Sequence, residues 1–225
     1  MTFKTCCRAG LLAGLIAALA ACGNDPRRDP VLQTTYTSLF GGGGSGDPKP
    51  VSDQQVAQTL AATELPVIRF GITERKAEGL ALEIERNGAH RTYATSDRLA
   101  IVLRNGMITA TRGFGGDLMS VEEDQLLALL RARSAGQARY VQRYLTAEGV
   151  TETLNFSCTV TPGQSSEIAQ GLVRATVTAL RADCSDGGEI AFTDAYLVDG
   201  TGEILTSMQW LGETTGPVTL QQLRR

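Results

Sequence analysis

Apolar and polar residues alternate in short runs along most of this chain, and Gly, Asn, Asp, Pro or Ser separates one run from the next. Alternation with a period of two marks half-buried strands. The clearest case is LAIVLRNGMITATRGFGGDL at residues 99–118, where Asn105-Gly106 divides two such runs. Asn-Gly suits a type I′ hairpin turn because both residues tolerate positive φ. Counting outward sets Leu103 opposite Ile108 and Ile101 opposite Ala110 on a buried face, with Val102 and Thr109 on the other. A second pair, Asn87-Gly88, folds residues 80–95 back and sets Leu82 against Tyr93 and Glu85 against His90. Two such hairpins with short connections predict an antiparallel meander rather than βαβ units.

The same alternation predicts further strands at 67–73, 137–146, 150–161, 167–183, 188–198 and 202–211, about ten in all. The run 167–183 reads two ways: Ile168, Leu172, Val173 and Val177 suit a helix, whereas ATVTAL favours a strand. Helical spacing appears twice more. Ser52 and Gln55 make a capping box ahead of Val56, Leu60 and Ala61, predicting a helix over 53–62 that Pro66 ends. Ser120 and Glu123 make another, predicting a helix over about 121–133 with Val121, Leu126, Leu127, Leu129 and Leu130 on its apolar face. Its acidic start, Glu122 to Asp124, and its basic end, Arg131 and Arg133, match the helix dipole. The predicted fold class is all-β with two or three short helices: an antiparallel meander forming a curved sheet or incomplete barrel. No internal repeat is evident.

The N-terminus has another character. Lys4 and Arg8 precede an apolar run over 9–18 that ends in Leu19-Ala20-Ala21-Cys22, the form of a bacterial lipobox. The run is far shorter than the roughly 20 residues of a membrane span, so it reads as a removable leader. The domain reading is therefore a signal peptide at 1–21, a lipidated N-terminus and Gly-rich tether at 22–50, and a β-rich domain at 51–225. Cys22 is the lipidation site, and lipid on it gives a stable membrane anchor. Within the tether, residues 31–40 read as a short helix or an early strand. Gly23 after the lipidated cysteine, by resemblance to enterobacterial lipoproteins, points to the periplasmic face of the outer membrane.

Cleavage leaves 204 of the 225 residues, enough for a substantial core. The whole chain has a net charge of −3, and losing Lys4 and Arg8 with the leader takes it to −5, which gives no basic footprint for nucleic acid. Of five cysteines, Cys6 and Cys7 leave with the leader and Cys22 carries lipid. Cys158 and Cys184 remain, and an oxidising compartment favours their pairing over two separate buried thiols. That bridge would contribute roughly 3 kcal/mol by loop-closure entropy.

Candidate chemistry is sparse. His90 is the single histidine and lies beside a hairpin turn, which fits a surface-strand role; a Ser-His-Asp or Cys-His site needs such a base beside a nucleophile. Pairing of Cys158 with Cys184 leaves no His and Cys set for zinc, so no metal or cofactor is expected. The glycine runs at 41–46 and 113–116 lack the residues of a phosphate loop or dinucleotide motif. Asp194 and Asp199 are the best pair for two-carboxylate glycoside chemistry, yet their odd spacing puts them on opposite strand faces, and Asp199-Gly200-Thr201-Gly202 reads as a turn. Aromatic residues make up 5% of the chain, and Trp210, sharing a face with Ile204, Thr206 and Met208, fits core packing better than a sugar platform. Arg104 and Arg112 flank the first hairpin and are candidate polymer contacts.

Two stretches resemble a known family. RNGMITATRGFGGDL at 104–118 is similar to the first sequence element of the YjbF/GfcB lipoproteins, encoded with group four capsule and exopolysaccharide secretion genes; Asn105, Gly106, Thr111, Gly113 and Leu118 carry the likeness. DAYLVDGTGEILTSMQWLG at 194–212 resembles the second element through Tyr196, Asp199, Gly202, Ser207 and Gln209. Ala110, Phe114 and the GGGGSG tether depart from the pattern. The resemblance implies a non-catalytic outer-membrane lipoprotein that assists polysaccharide secretion beside a periplasmic partner and an outer-membrane barrel protein of the same gene cluster. Two other roles stand beside docking: direct binding of the polysaccharide, and modification of it by an enzyme using Asp or Glu.

Overall fold

A computed structural model describes residues 50–145 and 149–225, all within one compact unit, Gly42–Arg225. The leader, Cys22, the glycine tether and residues 31–40 lie outside the described residues. Helix α1 (Asp53–Ala62) leads into β1 (Val67–Ile72), β2 (Ala77–Asn87), β3 (His90–Ala94), β4 (Ala100–Arg104), β5 (Met107–Arg112) and β6 (Leu118–Glu122). Helix α2 (Asp124–Ala132) separates these from β7 (Gly136–Leu145), β8 (Thr151–Gln170), β9 (Val173–Ser185), β10 (Ala191–Asp199) and β11 (Ile204–Trp210). A single turn of helix, α3 (Gly212–Thr215), precedes β12 (Pro217–Arg224).

The strands make one antiparallel sheet in the order β5-β4-β3-β2-β1-β12-β11-β10-β9-β8-β7-β6. Strands β5 and β6 are consecutive in the chain yet stand at opposite ends of that order, so the corner at 113–117 bends the sheet into a nearly closed barrel. Across that seam the Leu118 amide donates to Thr111 Oγ1 at 2.9 Å. No helix among the described residues is long and apolar enough to cross a membrane.

Much of the local reading holds. Ser52 and Gln55 cap α1 reciprocally, as the box predicts. Asn105 and Gly106 take φ of 49° and 82°, the pair of positive values a type I′ turn requires. Leu103 meets Ile108, but a bulge leaves Thr109 unpaired, so Ile101 meets Thr111 rather than Ala110. The second hairpin turns one residue later than its sequence predicts: Asn87 pairs with His90 around Gly88, and Glu85 faces Thr92. A bulge at Ile84 then sets Glu83, not Leu82, against Tyr93.

The larger differences come from pairing partners distant in the chain. The segment 118–122 is a strand, because the edge of β7 offers it a ladder: Ser120 faces Arg143 and Val121 faces Gln142. Helix α2 therefore starts only at Asp124, with Glu123 at its N-cap and no side-chain cap. The predicted break at 162–166 is absorbed as a bulge inside the 20-residue β8, and the run 167–183 splits into two strands at Gly171. Strand β12, not predicted, pairs with both β1 and β11. Its apolar alternation is interrupted by Gln222, buried at 1% exposure, whose amide donates to the Ile204 carbonyl at 2.7 Å.

Two apolar clusters fill the sheet. In one, Leu126, Leu127 and Leu130 of α2 pack against Tyr140, Phe156, Val160 and the Cys158–Cys184 disulfide, which joins directly paired positions of β8 and β9. Burial of each leucine side chain contributes about 2 kcal/mol. In the other, Ile68, Phe70, Tyr93, Ile101, Ile108 and Phe114 bring β1 through β5 onto Tyr144 of β7 and Leu220 of β12. A third, smaller group joins Val173 and Val177 of β9 to Leu205 of β11.

Candidate functional site

The two stretches singled out by their likeness meet each other inside the barrel. At the β4–β5 turn the Asn105 carbonyl accepts the Ile204 amide at 3.0 Å. Gly106 has no side chain because none fits: a Cβ there would fall inside contact distance of the Ile204 carbonyl oxygen and 2.8 Å from the Ile204 Cβ. Further along β5, the Ile108 amide donates to Gln209 Oε1 at 3.1 Å, and Gln209 Nε2 donates to Ser207 Oγ at 2.8 Å. Gln209 is 1% exposed and Ser207 4%, so these bonds satisfy groups that have no access to bulk water.

The remaining residues of each stretch shape its own ends. Thr111 Oγ1 holds the Leu118 amide, and Gly113, at φ 84°, turns so that its own amide and that of Phe114 donate to the Asp117 carboxylate at 2.9 and 2.8 Å. In the second stretch Asp199 Oδ1 accepts the Thr201 amide, the Thr201 hydroxyl and the Glu203 amide, at 2.8, 2.6 and 3.1 Å, and Oδ2 accepts from Arg225 at 2.8 Å. Burial raises the pKa of Asp199, but these donors outweigh it and hold the carboxyl below its ordinary range. Arg133, which ends α2 in the left-handed conformation, donates to the Asp199 carbonyl at 2.7 Å. Gly202, at φ 83°, passes close to the Arg131 carbonyl.

Asp194 and Asp199 are each engaged by a separate set of partners. Asp194 is 1% exposed, accepts the Trp210 amide at 2.8 Å and the Tyr196 hydroxyl at 3.0 Å, and burial pushes its pKa up to about 7. Beside it runs a polar ladder that the sequence did not disclose. Gln142, fully buried, donates to the Trp210 carbonyl and the Tyr140 hydroxyl at 3.0 and 3.2 Å and accepts from the Tyr144 hydroxyl at 2.8 Å. Burial pushes the Tyr140, Tyr144 and Tyr196 hydroxyls well above the ordinary tyrosine value, so the ladder works with neutral phenols. Trp210 stacks on Phe192 with ring centres 4.7 Å apart and meets Phe156 edge-on at 5.9 Å, a packing role.

Arg104 and Arg112 lie at opposite ends of the first hairpin and do not converge. Arg104 pairs with Glu123 and Asp124 at 2.7 and 2.6 Å. Arg112 is exposed and bonds only the Thr111 carbonyl among the described residues. His90 is exposed and faces Asn87 and Arg104, not Glu85. No three His, Cys, Asp or Glu side chains among the described residues gather closely enough to hold a metal ion.

Three hollows involve β7 or its neighbours: the strand residues of the first, Tyr144, Glu152 and Leu154, lie on one face of the sheet, and those of the other two, Arg139 and Asn155, on the opposite face. The first, of about 690 Å³, is lined by Tyr144, Glu152, Leu154, Asp186, Glu189 and Glu213 among others. The second, of about 620 Å³, shares Asp186 with it and adds Gln125, Gln137, Arg139, Asn155 and Phe156. The third, of about 540 Å³, shares Gln125 and Arg139 with the second and reaches Arg104, Glu122, Asp124 and His90.

Comparison with known proteins places this architecture. The crystal structure of the hypothetical lipoprotein YmcC from Escherichia coli K12 superposes with a TM-score of 0.68 over 86% of this chain and 95% of that one, at 17% identity. That likeness speaks for the fold. No curated protein matches the chain. Residues 33–223, spanning both stretches that meet at Ile204 and Gln209, match the family described as group 4 capsule polysaccharide lipoprotein GfcB, YjbF. The chain belongs to the YjbF family of capsule polysaccharide lipoproteins.

Proposed function

We propose that this protein is a non-catalytic accessory of capsule or exopolysaccharide secretion. Lipid on Cys22 holds it at the periplasmic face of the outer membrane, and it acts by docking an outer-membrane barrel protein and a periplasmic protein of the secretion machinery. One observation supports a structural rather than catalytic use of the family residues: Asn105 and Gly106 lie against Ile204, and Gln209 spends its buried side-chain amide on Ile108 and Ser207. The outer surface is then what remains for partners.

The test compares secreted and cell-retained polysaccharide in a deletion strain, the same strain carrying the wild-type gene, and the same strain carrying Cys22→Ala. Secretion lost on deletion and restored only by the wild-type gene is the expected result. Unchanged secretion in all three strains rejects the export role. Cross-linking of the full chain in intact envelopes tests docking, and recovery of no outer-membrane or periplasmic secretion protein rejects that part.

A further inference from the structure

We infer that the hollow between α1 and the tip of the β8–β9 hairpin is the face this domain lays on a phospholipid leaflet; this rests on the reading of Cys22 as the lipid anchor and goes beyond it by naming the surface that meets the membrane. The hollow, of about 540 Å³, is lined by Val56, Ala57, Leu60 and Ala61 on one side and by Gly171 and Leu172 on the other, with Asp53 and Arg224 as its charged members. Ala57, Ala61 and Leu172 are exposed, Leu172 to 59%, so apolar atoms here face solvent rather than the core.

The fold imposes that exposure. Gly171 turns at φ 53°, and a Cβ there would lie 2.6 Å from the Leu223 carbonyl oxygen. The Leu172 amide donates to that same carbonyl at 2.8 Å, and Gln170 Nε2 donates to the Leu205 and Gln222 carbonyls at 3.0 and 3.1 Å. The tip is thus pinned to β11 and β12 while its leucine side chain stays in solvent. Across the hollow, Arg224 donates to the Leu60 carbonyl at 2.9 Å and to the Thr63 carbonyl, which fixes the C-terminal end of α1. Two held walls therefore present apolar surface with charge at its edge, the form that interaction sites take.

Two observations select a lipid surface as the occupant. The chain that carries Cys22 joins the domain at this place, since the described residues begin at Pro50 and α1 begins at Asp53. Lipid on Cys22 ties the leaflet to this end of the domain, so contact is an intramolecular step at high effective concentration and needs only weak intrinsic affinity. Charge agrees. Arg224, and Arg174 beside Gly171, bond only to backbone carbonyls among the described residues, so no carboxylate offsets either cation there. Asp53 is the one acid in the lining. Apolar side chains entering the headgroup region with arginines beside them suit a leaflet that contains anionic phospholipid.

The test places the full chain, purified from membranes, in vesicles of phosphatidylethanolamine and phosphatidylglycerol with brominated acyl chains, which quench tryptophan fluorescence at contact. The unsubstituted chain sets the baseline, because its single tryptophan, Trp210, packs against Phe192 and Phe156. Leu172→Trp puts a probe on the hollow. Leu145→Trp is the control: Leu145 is 51% exposed and pairs with Thr151, at the opposite end of β8 from the hairpin tip. Above baseline, quenching of Leu172→Trp is expected to be at least threefold that of Leu145→Trp, and to fall at least threefold when Ala57→Glu and Ala61→Glu are added. Equal quenching of the two probes, stronger quenching of Leu145→Trp or indifference to the glutamates overturns the inference. No quenching of Leu172→Trp also overturns it and leaves the hollow to a protein partner. Mass spectrometry of the same preparation tests the anchor separately. Lipid on Cys22 without quenching of Leu172→Trp rejects this face and leaves the anchor standing. A chain without lipid on Cys22 rejects the anchor; added to the same vesicles, its quenching at Leu172→Trp then upholds the face, and no quenching rejects both.

Discussion

Gln209 Oε1 accepts the backbone amide of Ile108, so a side chain of β11 supplies the partner that β5, at the end of the sheet, lacks for that amide. The same glutamine reaches Ser207 with its other end. Gln209→Ala leaves a buried N–H and a buried hydroxyl without their partner, at a cost of about 1–3 kcal/mol. Ser207→Ala strands the Gln209 amide instead. Urea unfolding of both single variants and the double variant is expected to show the double losing less than the sum of the singles, since all three remove one shared network.

Gly106→Ala combines a positive φ with a Cβ driven into the Ile204 carbonyl. The expected loss is about 3 kcal/mol or more. Gly88→Ala is the control, because Gly88 has φ 58° but nothing within 4 Å of its would-be Cβ. It should lose only about 1 kcal/mol. Equal shifts in the urea midpoint would show that backbone strain alone matters at both turns and that the contact with Ile204 does not.

Asp194 sets a pH dependence of defined sign. Unfolded, its carboxyl titrates near 3.8; folded, burial raises that to about 7. Between those values the native state binds the extra proton, so stability is fully present below pH 3.8 for this group and is lost as pH rises through 7. The carboxyls of Glu78, Glu83, Glu122, Asp183 and Asp199 are shifted the opposite way, below their ordinary values, and their contribution is lost only in acid. Chemical denaturation between pH 5 and 8 therefore isolates Asp194. Asp194→Asn is expected to flatten that slope, and a slope unchanged by the substitution would assign it elsewhere.

Arg104→Met removes the cation beside Glu123, whose residue exposure is 5%. An uncompensated buried carboxylate makes this costly, about 2–4 kcal/mol. Arg112→Met, with no ion pair among the described residues, should change stability by less than about 0.5 kcal/mol. Thermal unfolding of the two variants separates them, and adding Glu123→Gln to Arg104→Met should recover part of the loss.

Local chemistry was legible in the sequence wherever a few neighbouring residues decide the outcome. Positive φ at Asn105 and Gly106, the Ser52–Gln55 box, the Leu126, Leu127 and Leu130 stripe and the Asp199 turn all rest on contacts within a handful of positions. So does strand alternation, which was enough for an antiparallel all-β fold. Cys158 and Cys184 were the pair expected once the lipobox reading set Cys6, Cys7 and Cys22 aside, and the disulfide joins them. The tertiary structure decided whatever depends on a partner far along the chain. Ser120 carries a good cap signal, yet β7 offers its backbone a ladder and the segment becomes β6. Gln222 breaks the apolar pattern of β12, yet its Nε2 finds the Ile204 carbonyl and the Glu203 carboxylate, and the strand forms. A bulge at Thr109 moved the first register by one, and a later turn followed by a bulge at Ile84 moved the second; neither bulge has a local sequence signal. The meeting of Asn105 with Ile204 and of Ile108 with Gln209 has no local signal at all: each residue alone is ordinary, and only closure of the sheet brings them within hydrogen-bond reach.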